Sequence, residues 1–359
     1  MKKKYKGVVF SGLILTKNID GIQRFVLENL KFLDGLLHNY NVILALNKNC
    51  SYNLNFKNIK VETFEVTGSM FIAEQKVCKY AKKKNYLYVN FANTGAIYSN
   101  SILVLHDLIM DEMAKVYTIY KAKNLKQFIA RRINRFTIKH KSIRIMTVSN
   151  FSKSRIEKLY HYKKKIDVIY SAWQHVLSIN DDKNAINKYN LKTKEYYFMI
   201  GNLLPHKNIK WVIEIAKNNP HDIFAVSGRI SSNMKDPIVD ELEKTKNIRK
   251  LGYVTDEEMI DLVKNAKAIV YPTLIEGFGL PPMEAMALGT PAICSNIDCL
   301  NEVYGDSVTY IDPFDYSINI DELSLQCDKD KIQRCLDKYS WEKTANSIFN
   351  VVSEEIEAK

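Results

Sequence analysis

The sequence has no stretch near the roughly 20 consecutive apolar residues that a membrane-spanning helix requires, so no spanning helix is expected. No small-residue cleavage site follows the short apolar run Val8–Leu15, which reads as a first strand rather than a leader. There is no C-x-x-C pair. Cys50, Cys78, Cys294, Cys299, Cys327 and Cys335 are scattered, without a histidine at ligand spacing, which argues against a disulfide framework or zinc site and fits a reducing cytoplasm. A short-period repeat is also missing, which excludes a solenoid, and low complexity is confined to local lysine clusters.

Acidic residues are scarce in the first half. Residues 1–172 hold 11 Asp and Glu against 31 Lys and Arg, a balance of +20, whereas residues 173–359 hold 29 against 21, a balance of −8. The net charge of +12 therefore hides a basic half joined to an acidic half, as if two bodies faced different partners. A basic excess attracts nucleic acid, acidic polymers or anionic membrane, and compositional drift toward lysine is the plain alternative. A chain of 359 residues, 46% of them hydrophobic, is long enough for two cores.

Short apolar runs at Val8–Leu15, Asn41–Leu46, Ile59–Val66, Tyr86–Phe91, Ile102–Leu105, Ile143–Val148 and Ile166–Tyr170 have strand length. Helical patterns fall between several of them, at Ile22–Leu37, Phe71–Lys83, Leu125–Lys139 and Phe151–Tyr160. The alternation restarts after residue 180, with strands at Tyr196–Ile200, Ile223–Val226, Ile248–Leu251, Ala268–Tyr271 and Pro291–Ser295. Helices are expected from Lys207, Pro237, Asp256 and Pro281. Such alternation implies parallel sheets covered on both faces, here in two Rossmann-like domains.

Ligands of such sheets bind beyond the carboxyl ends of the strands, often at helix N-termini. The segment Tyr271-Pro-Thr-Leu-Ile-Glu276-Gly277-Phe278-Gly279-Leu280-Pro281-Pro282-Met283-Glu284-Ala285 joins a strand end to a proline-opened helix through a loop with two glycines. Gly277 and Gly279 allow the backbone to approach a diphosphate or a sugar hydroxyl closely. Glu276 and Glu284 would stand about two turns apart if the segment were helical throughout, one carboxylate for each end of a ligand. A plain glycine turn with a capping glutamate explains the same residues.

Glu276-Gly-Phe-Gly-Leu-Pro-Pro-Met-Glu284, continued by Ala-Met-Ala-Leu-Gly289-Thr-Pro291, resembles the E-x7-E signature of the family-4 retaining glycosyltransferases. Ser295-Asn296, Asn301-Glu302-Val303, Gly305-Asp306, Asp312-Pro313 and Tyr339–Ala345 are similar to that family's tail. Gly201-Asn202-Leu203-Leu204-Pro205-His206-Lys207-Asn208 resembles its G-x-L-x-P-x-K-N segment, and Val148–Lys153 its V-S-x-x-S-K segment. Asp20–Phe25 resembles the glycine loop after its first strand, and Leu105-His106-Asp107 its H-D motif. The resemblance runs over nearly the whole chain.

What it implies is the GT-B fold, an α/β class with two Rossmann-like domains facing across a cleft. Residues 1–175 would bind acceptor, 180–338 would bind nucleotide sugar, and a C-terminal helix in 339–359 would return to the first domain. Glu276 would hold donor-sugar hydroxyls, Glu284 the ribose, and Lys207 the diphosphate, with the N–H groups of Gly277, Phe278, Gly279 and the adjoining Leu280 around sugar and phosphate. Gly21 would belong to the donor site, and His106 would stand near the donor sugar or serve only as a hydrogen-bonded residue at a strand end. Asp107 would orient His106 or cap the next helix. Arg24 would meet phosphate or acceptor, or be a solvated helix residue. Asn202 and His206 stand where many members carry basic residues, and Arg229 is the candidate substitute, against a plain surface role. No metal and no cofactor are expected, since no D-x-D pair stands at a strand end and preorganised donors would carry the developing charge. Retention is expected by front-face attack, because the motif supplies no carboxylate nucleophile beside the anomeric carbon.

The run Lys121–Lys141 contains eight Lys and Arg and no acidic residue. Leu125, Phe128, Ile129, Ile133 and Phe136 recur at helical spacing, a stripe expected to cover a sheet while the cations meet an anionic bilayer. The expected partners are thus a nucleotide diphosphate sugar (mannose or rhamnose type), a saccharide acceptor, typically lipid-linked, and the inner face of the cytoplasmic membrane. That setting matches bacterial lipopolysaccharide or capsule synthesis. A nucleic-acid-binding protein would explain the basic half, but no recognisable nucleic-acid motif is found, so nucleic acid is not an expected partner. An epimerase or phosphorylase would keep the fold, but hydrolysing epimerases lack the E-x7-E block and glycogen-type phosphorylases need a longer chain.

Overall fold

The structure is a computed structural model, and it describes residues 4–16, 19–66, 68–113, 125–201, 203–228 and 237–358. Asn202 and Arg229 lie outside the described residues, as do Lys121 and Lys123. The chain divides into two compact units. One draws on Met1–Leu108, Asn124–Ser171 and Ser340–Lys359, the other on Ala172–Tyr339 with the helical turn Ile109–Glu112.

The first unit is built on strands β1 (Val8–Gly12), β2 (Val42–Asn47), β3 (Ile59–Phe64), β4 (Leu87–Asn90), β5 (Ser101–Leu105), β6 (Ser142–Thr147) and β7 (Ile166–Val168). They form one all-parallel sheet in the order β3-β2-β1-β4-β5-β6-β7. β1, β2 and β4 are buried at every residue because helices cover both faces, which is why they read as unbroken apolar runs. Edge strand β3 (IKVETF) mixes buried and exposed positions. The strand expected to run to Leu15 stops at Gly12, where the chain turns. Leu13 and Leu15 are nonetheless fully buried, so their apolarity marked the core rather than the strand.

Local chemistry sets the helix starts. The carboxylate of Asp20 accepts from Gln23 N at 3.0 Å and opens the helix Gly21–Leu36. Ser149 and Ser340 cap Asn150–Tyr160 and Trp341–Glu357 in the same way. The last helix packs on the first, with the Trp341 and Phe25 rings 5.9 Å apart. Its Glu354 receives Arg144 Nη1 at 2.6 Å, and Arg144 also pairs with Asp167 of β7.

The second unit holds β8 (Tyr196–Met199), β9 (Ile223–Ser227), β10 (Ile248–Gly252), β11 (Ala268–Tyr271), β12 (Ala292–Ser295) and β13 (Thr309–Ile311). They too are parallel, in the order β10-β9-β8-β11-β12-β13. Its core gathers Trp211, Val212, Ile215, Phe224 and Val226 around the helix Ile209–Asn218. Three-residue β13 and the helices Asp298–Tyr304 and Lys329–Leu336 lie outside the sequence expectation. In each sheet the order reverses once, between β1 and β4 and between β8 and β11. The crevice at such a reversal is where α/β sheets bind ligands.

One expectation is overturned in the basic helix Leu125–Lys141. Ile138 is buried, but Ile129, Ile133 and Phe136 are 47%, 39% and 59% exposed, so these three do not cover a sheet. Helical spacing fixes which residues share a face, not what that face meets.

Candidate active site

In the second sheet, the loops leaving β8 and β11 meet at the point of reversal. After β8, a 3₁₀ turn at Pro205–Lys207 and a left-handed Asn208 (φ 56°) lead into the helix Ile209–Asn218. The buried Asn208 amide donates to Pro272 O at 3.0 Å and Pro313 O at 2.9 Å, lacing this turn to the loop after β11. The His206 carbonyl accepts from Leu274 N at 2.8 Å and stands 2.9 Å from the Thr273 hydroxyl.

This lacing brings Lys207 to Glu276. Lys207 Nζ lies 2.6 Å from Glu276 Oε1 and donates to the Tyr271 hydroxyl at 2.9 Å, above a ring whose centroid is 4.8 Å away. Thr273 Oγ1, 2.8 Å away, converges on the same carboxylate oxygen, and its single proton is shared between Glu276 and the His206 carbonyl. Glu276 is 8% exposed. Burial pushes its carboxyl up, but the Lys207 ammonium, His206 and the Thr273 bond outweigh this and hold it below the usual carboxylate value. Burial holds His206 down to about 4, so near neutral pH it is uncharged and Lys207 is the cation that acts on Glu276. His206 therefore does not replace the basic residue missing from this segment.

The loop Glu276–Gly279 is buried. Gly279 adopts φ 85° and caps the helix Leu280–Ala287, so Glu276 and Glu284 are not separated by continuous helix as their spacing had suggested. A side chain at Gly279 would meet Leu300 Cδ2 at 2.8 Å, and the Gly279 carbonyl accepts from Tyr304. The Phe278 ring packs edge-on against Tyr339 at 5.4 Å. Leu280, half-buried, is the first helical residue. With prolines at 281 and 282, two of the four usual unpaired amides at that terminus are absent. Glu284, half-buried on this helix, stands 3.0 Å from His175 Nε2.

The first unit holds the remaining candidates. His106, just past β5, is buried; its amide donates to Asn93 Oδ1 at 2.8 Å and its ring packs edge-on against Phe25 at 4.9 Å. Nε2 is 3.0 Å from Phe91 O, past β4. A carbonyl only accepts, so Nε2 carries the proton, and burial lowers the ring to about 4, leaving it neutral with Nδ1 as acceptor. The first helix carries Gly21, exposed at its start, and Arg24, whose Nη1 is 3.7 Å from Glu28. Asp107 is half-buried beside His106. Thus Gly21, Arg24 and His106 gather at the carboxyl ends of β1, β4 and β5, while Lys207 and Glu276 gather at those of β8 and β11. Three contributors escaped sequence reasoning: Tyr271 as Lys207's partner, Thr273, and His175, which stands in no motif.

Residues 181–323, which contain Lys207, Glu276 and Glu284, match the family described as glycosyl transferases group 1. Over this segment the chain is similar to the group 1 glycosyl transferases. It is 31% identical over 257 residues to O-antigen chain mannosyltransferase RfbU of Salmonella typhimurium, covering 69% of this chain and 66% of that protein. It is 32% identical over 214 residues to O-antigen chain mannosyltransferase B of Escherichia coli, covering 56% and 54%. The chain thus spans less than two thirds of these relatives' own length. In three dimensions it is similar to WaaG, described as a glycosyltransferase involved in lipopolysaccharide biosynthesis, with a TM-score of 0.67 at 13% identity over 98% of this chain and 100% of that one. The fold is accordingly that of the GT-B glycosyltransferases, with one parallel sheet in each unit.

Proposed function

We propose that this chain is a member of the group 1 family and a retaining glycosyltransferase. It moves a hexose or deoxyhexose, mannose type first, from a nucleotide diphosphate sugar to a lipid-diphosphate-linked saccharide in surface polysaccharide synthesis. The observation that carries the reading is the buried Lys207–Glu276 pair at the reversal of the second sheet. A carboxylate kept ionised can accept from sugar hydroxyls, and an ammonium 2.6 Å away can follow the charge that grows on a departing diphosphate. Glu284 takes the ribose, and the amides of Gly277, Phe278, Gly279 and Leu280 line the sugar and phosphate. Neutral His106, with Asp107, Gly21 and Arg24, serves the donor sugar and acceptor side; Asn202 and Arg229, outside the described residues, are the remaining donor-site candidates, Arg229 in place of the basic residue missing at 202.

The acceptor oxygen bonds to the anomeric carbon on the face from which the diphosphate leaves. The bond from that carbon to the phosphate oxygen breaks, and the acceptor proton passes to the departing phosphate, so no side-chain base is required. Mannose is favoured by the names of the two relatives. A panel of nucleotide diphosphate sugars should contain one that raises the melting temperature and is consumed with acceptor, with the anomeric configuration kept. Glu276→Ala should retain the fold and lose at least about 100-fold in transfer. No stabilising donor in the panel, or near-normal turnover in Glu276→Ala, would end this reading. The same reaction in chelator tests the metal-free mechanism, which fails if Mg²⁺ restores a lost rate.

The acceptor's lipid points to docking on an anionic bilayer through the basic helix Leu125–Lys141. No helix among the described residues is long and apolar enough to cross a membrane. This helix instead exposes Ile129, Ile133 and Phe136 at i, i+4 and i+7, beside exposed Arg132, Arg135 and Lys141. Apolar side chains flanked by cations suit an interfacial helix, each cation adding about 1 kcal/mol at an anionic surface. Ile133→Ser/Phe136→Ser should release the protein from anionic vesicles. Sedimentation like wild type, or equal binding to neutral vesicles in high salt, would refute docking through this charged face.

A further inference from the structure

Glu284 is a flexible side chain in the first two turns of the helix Leu280–Ala287, and one group fixes it. Among the described residues, His175 is the hydrogen-bond partner of its carboxylate, with Nε2 3.0 Å from Oε1. A carboxylate near neutral pH can only accept, so His175 Nε2 is the donor. The imidazole side chain is 2% exposed and that of Glu284 12%, so water competes weakly for this bond.

The peptide that carries His175 is itself pinned. Trp173 Nε1 donates to Leu336 O at 3.0 Å, and Gln174 Nε2 donates to Tyr339 O at 2.9 Å, one residue to either side of a short helical turn's start. Within that turn, Val176 N reaches Trp173 O and the Ser178 hydroxyl reaches His175 O. Trp173 and Gln174 thus anchor the turn Gln174–Ser178 to the end of the second unit, and His175 reaches the Leu280–Ala287 helix.

We infer that His175 is a positioning residue for the nucleotide: its Nε2–H holds Glu284 Oε1 and so presents Oε2 to the ribose hydroxyls. This rests on the donor-site reading above and adds a residue to it. Holding one oxygen removes the rotamer freedom that a free glutamate would lose on binding, so the ribose meets a preorganised acceptor. The chemistry recognised is a vicinal diol on a nucleoside diphosphate.

The experiment compares UDP and GDP with their 2′,3′-dideoxy forms by calorimetry, on wild type, His175→Leu and His175→Gln. Wild type should prefer the ribose form of the base it binds by about tenfold or more, as for a hydrogen bond to a charged group. His175→Leu should lose most of that preference by weakening ribonucleotide binding while dideoxynucleotide binding stays within about twofold. His175→Gln, whose amide N–H reaches the same place, should restore it. If His175→Leu weakens both forms equally, or keeps the full preference, the positioning role is wrong and His175 is only structural. If His175→Leu does not fold, failure of His175→Gln to keep the preference overturns the role by itself. A wild type that binds neither nucleotide overturns the donor-site reading instead.

Discussion

The Lys207–Glu276 pair allows a quantitative test independent of substrate. Both side chains are mostly buried, at 16% and 9% exposure. Breaking a fully buried pair by removing one member costs about 3–5 kcal/mol, because the survivor is left uncompensated. Glu276→Gln leaves Lys207 with the Tyr271 hydroxyl and ring face, so its cost belongs at or below the lower end, about 2–3 kcal/mol. Lys207→Met leaves a carboxylate that burial pushes up, with the Thr273 hydroxyl as compensation, and should cost about 3 kcal/mol near pH 7. In that variant the Glu276 pKa rises above its unfolded value. The penalty is therefore present above the folded pKa and fades as pH falls toward the unfolded one, where the carboxyl is neutral in both states. Glu276→Gln/Lys207→Met contains no unpaired charge and should cost little more than either single change, a coupling of about 2–3 kcal/mol. For a domain of this size, about 3 kcal/mol lowers the melting temperature by roughly 6–12 °C. Thermal unfolding of the four proteins without nucleotide measures the cycle. Additive losses, or a Lys207→Met penalty that does not shrink in acid, would refute the argument.

Glu74 in the first unit is buried and bonded by the Ser11 hydroxyl, at 2.9 and 2.8 Å, and by Tyr88. Burial raises its carboxyl from 4.5 to about 7, so between those values the folded state keeps a proton that the unfolded state has lost. Stability should then fall by roughly 3 kcal/mol as pH rises through that window, and Glu74→Gln should flatten the pH dependence of the melting temperature; an unchanged slope would exclude Glu74 as its source. Gly279 and Gly289 both adopt positive φ, at 85° and 81°, but a side chain meets Leu300 only at the first and open space at the second. Gly289→Ala should cost about 1 kcal/mol for backbone strain alone and Gly279→Ala about 1–2 kcal/mol more, measured by urea unfolding; equal costs would show that packing at Gly279 is loose.

The strand and helix alternation was legible because it is a local consequence of burial. A parallel strand covered on both faces must be apolar throughout, so β1, β2, β4 and β11 stand out as runs. Periodicity placed two helix starts one residue inside the observed ones, at Ile22 and Phe151, while the caps Asp20 and Ser149 that set them were seen only in the structure. Short β13 escaped notice because three residues carry no period, and β1 was drawn too long because Leu13 and Leu15 are core without being strand. The ordered motifs around Lys207, Glu276 and Glu284 made the family readable, because a loop that must turn tightly and then open a helix has few sequence solutions.

Partnership and charge state were not legible, for they depend on what the fold brings close. Lys207 meets a carboxylate 69 residues on, and His175 meets one 109 residues on. No periodicity links such positions; the reversal of strand order between β8 and β11 creates the first contact, and the anchored turn Gln174–Ser178 creates the second. His106 and His206 have ordinary sequence neighbourhoods, yet both rings are buried and neutral because the desolvation that lowers them is a tertiary quantity. The stripe Ile129, Ile133 and Phe136 has the same spacing whether it faces a sheet or solvent, and only its packing left it exposed. Sequence thus determined which elements form and which residues share a loop or a face. Tertiary structure decided which of those residues meet, and in which protonation state, because electrostatics and desolvation act through space rather than along the chain.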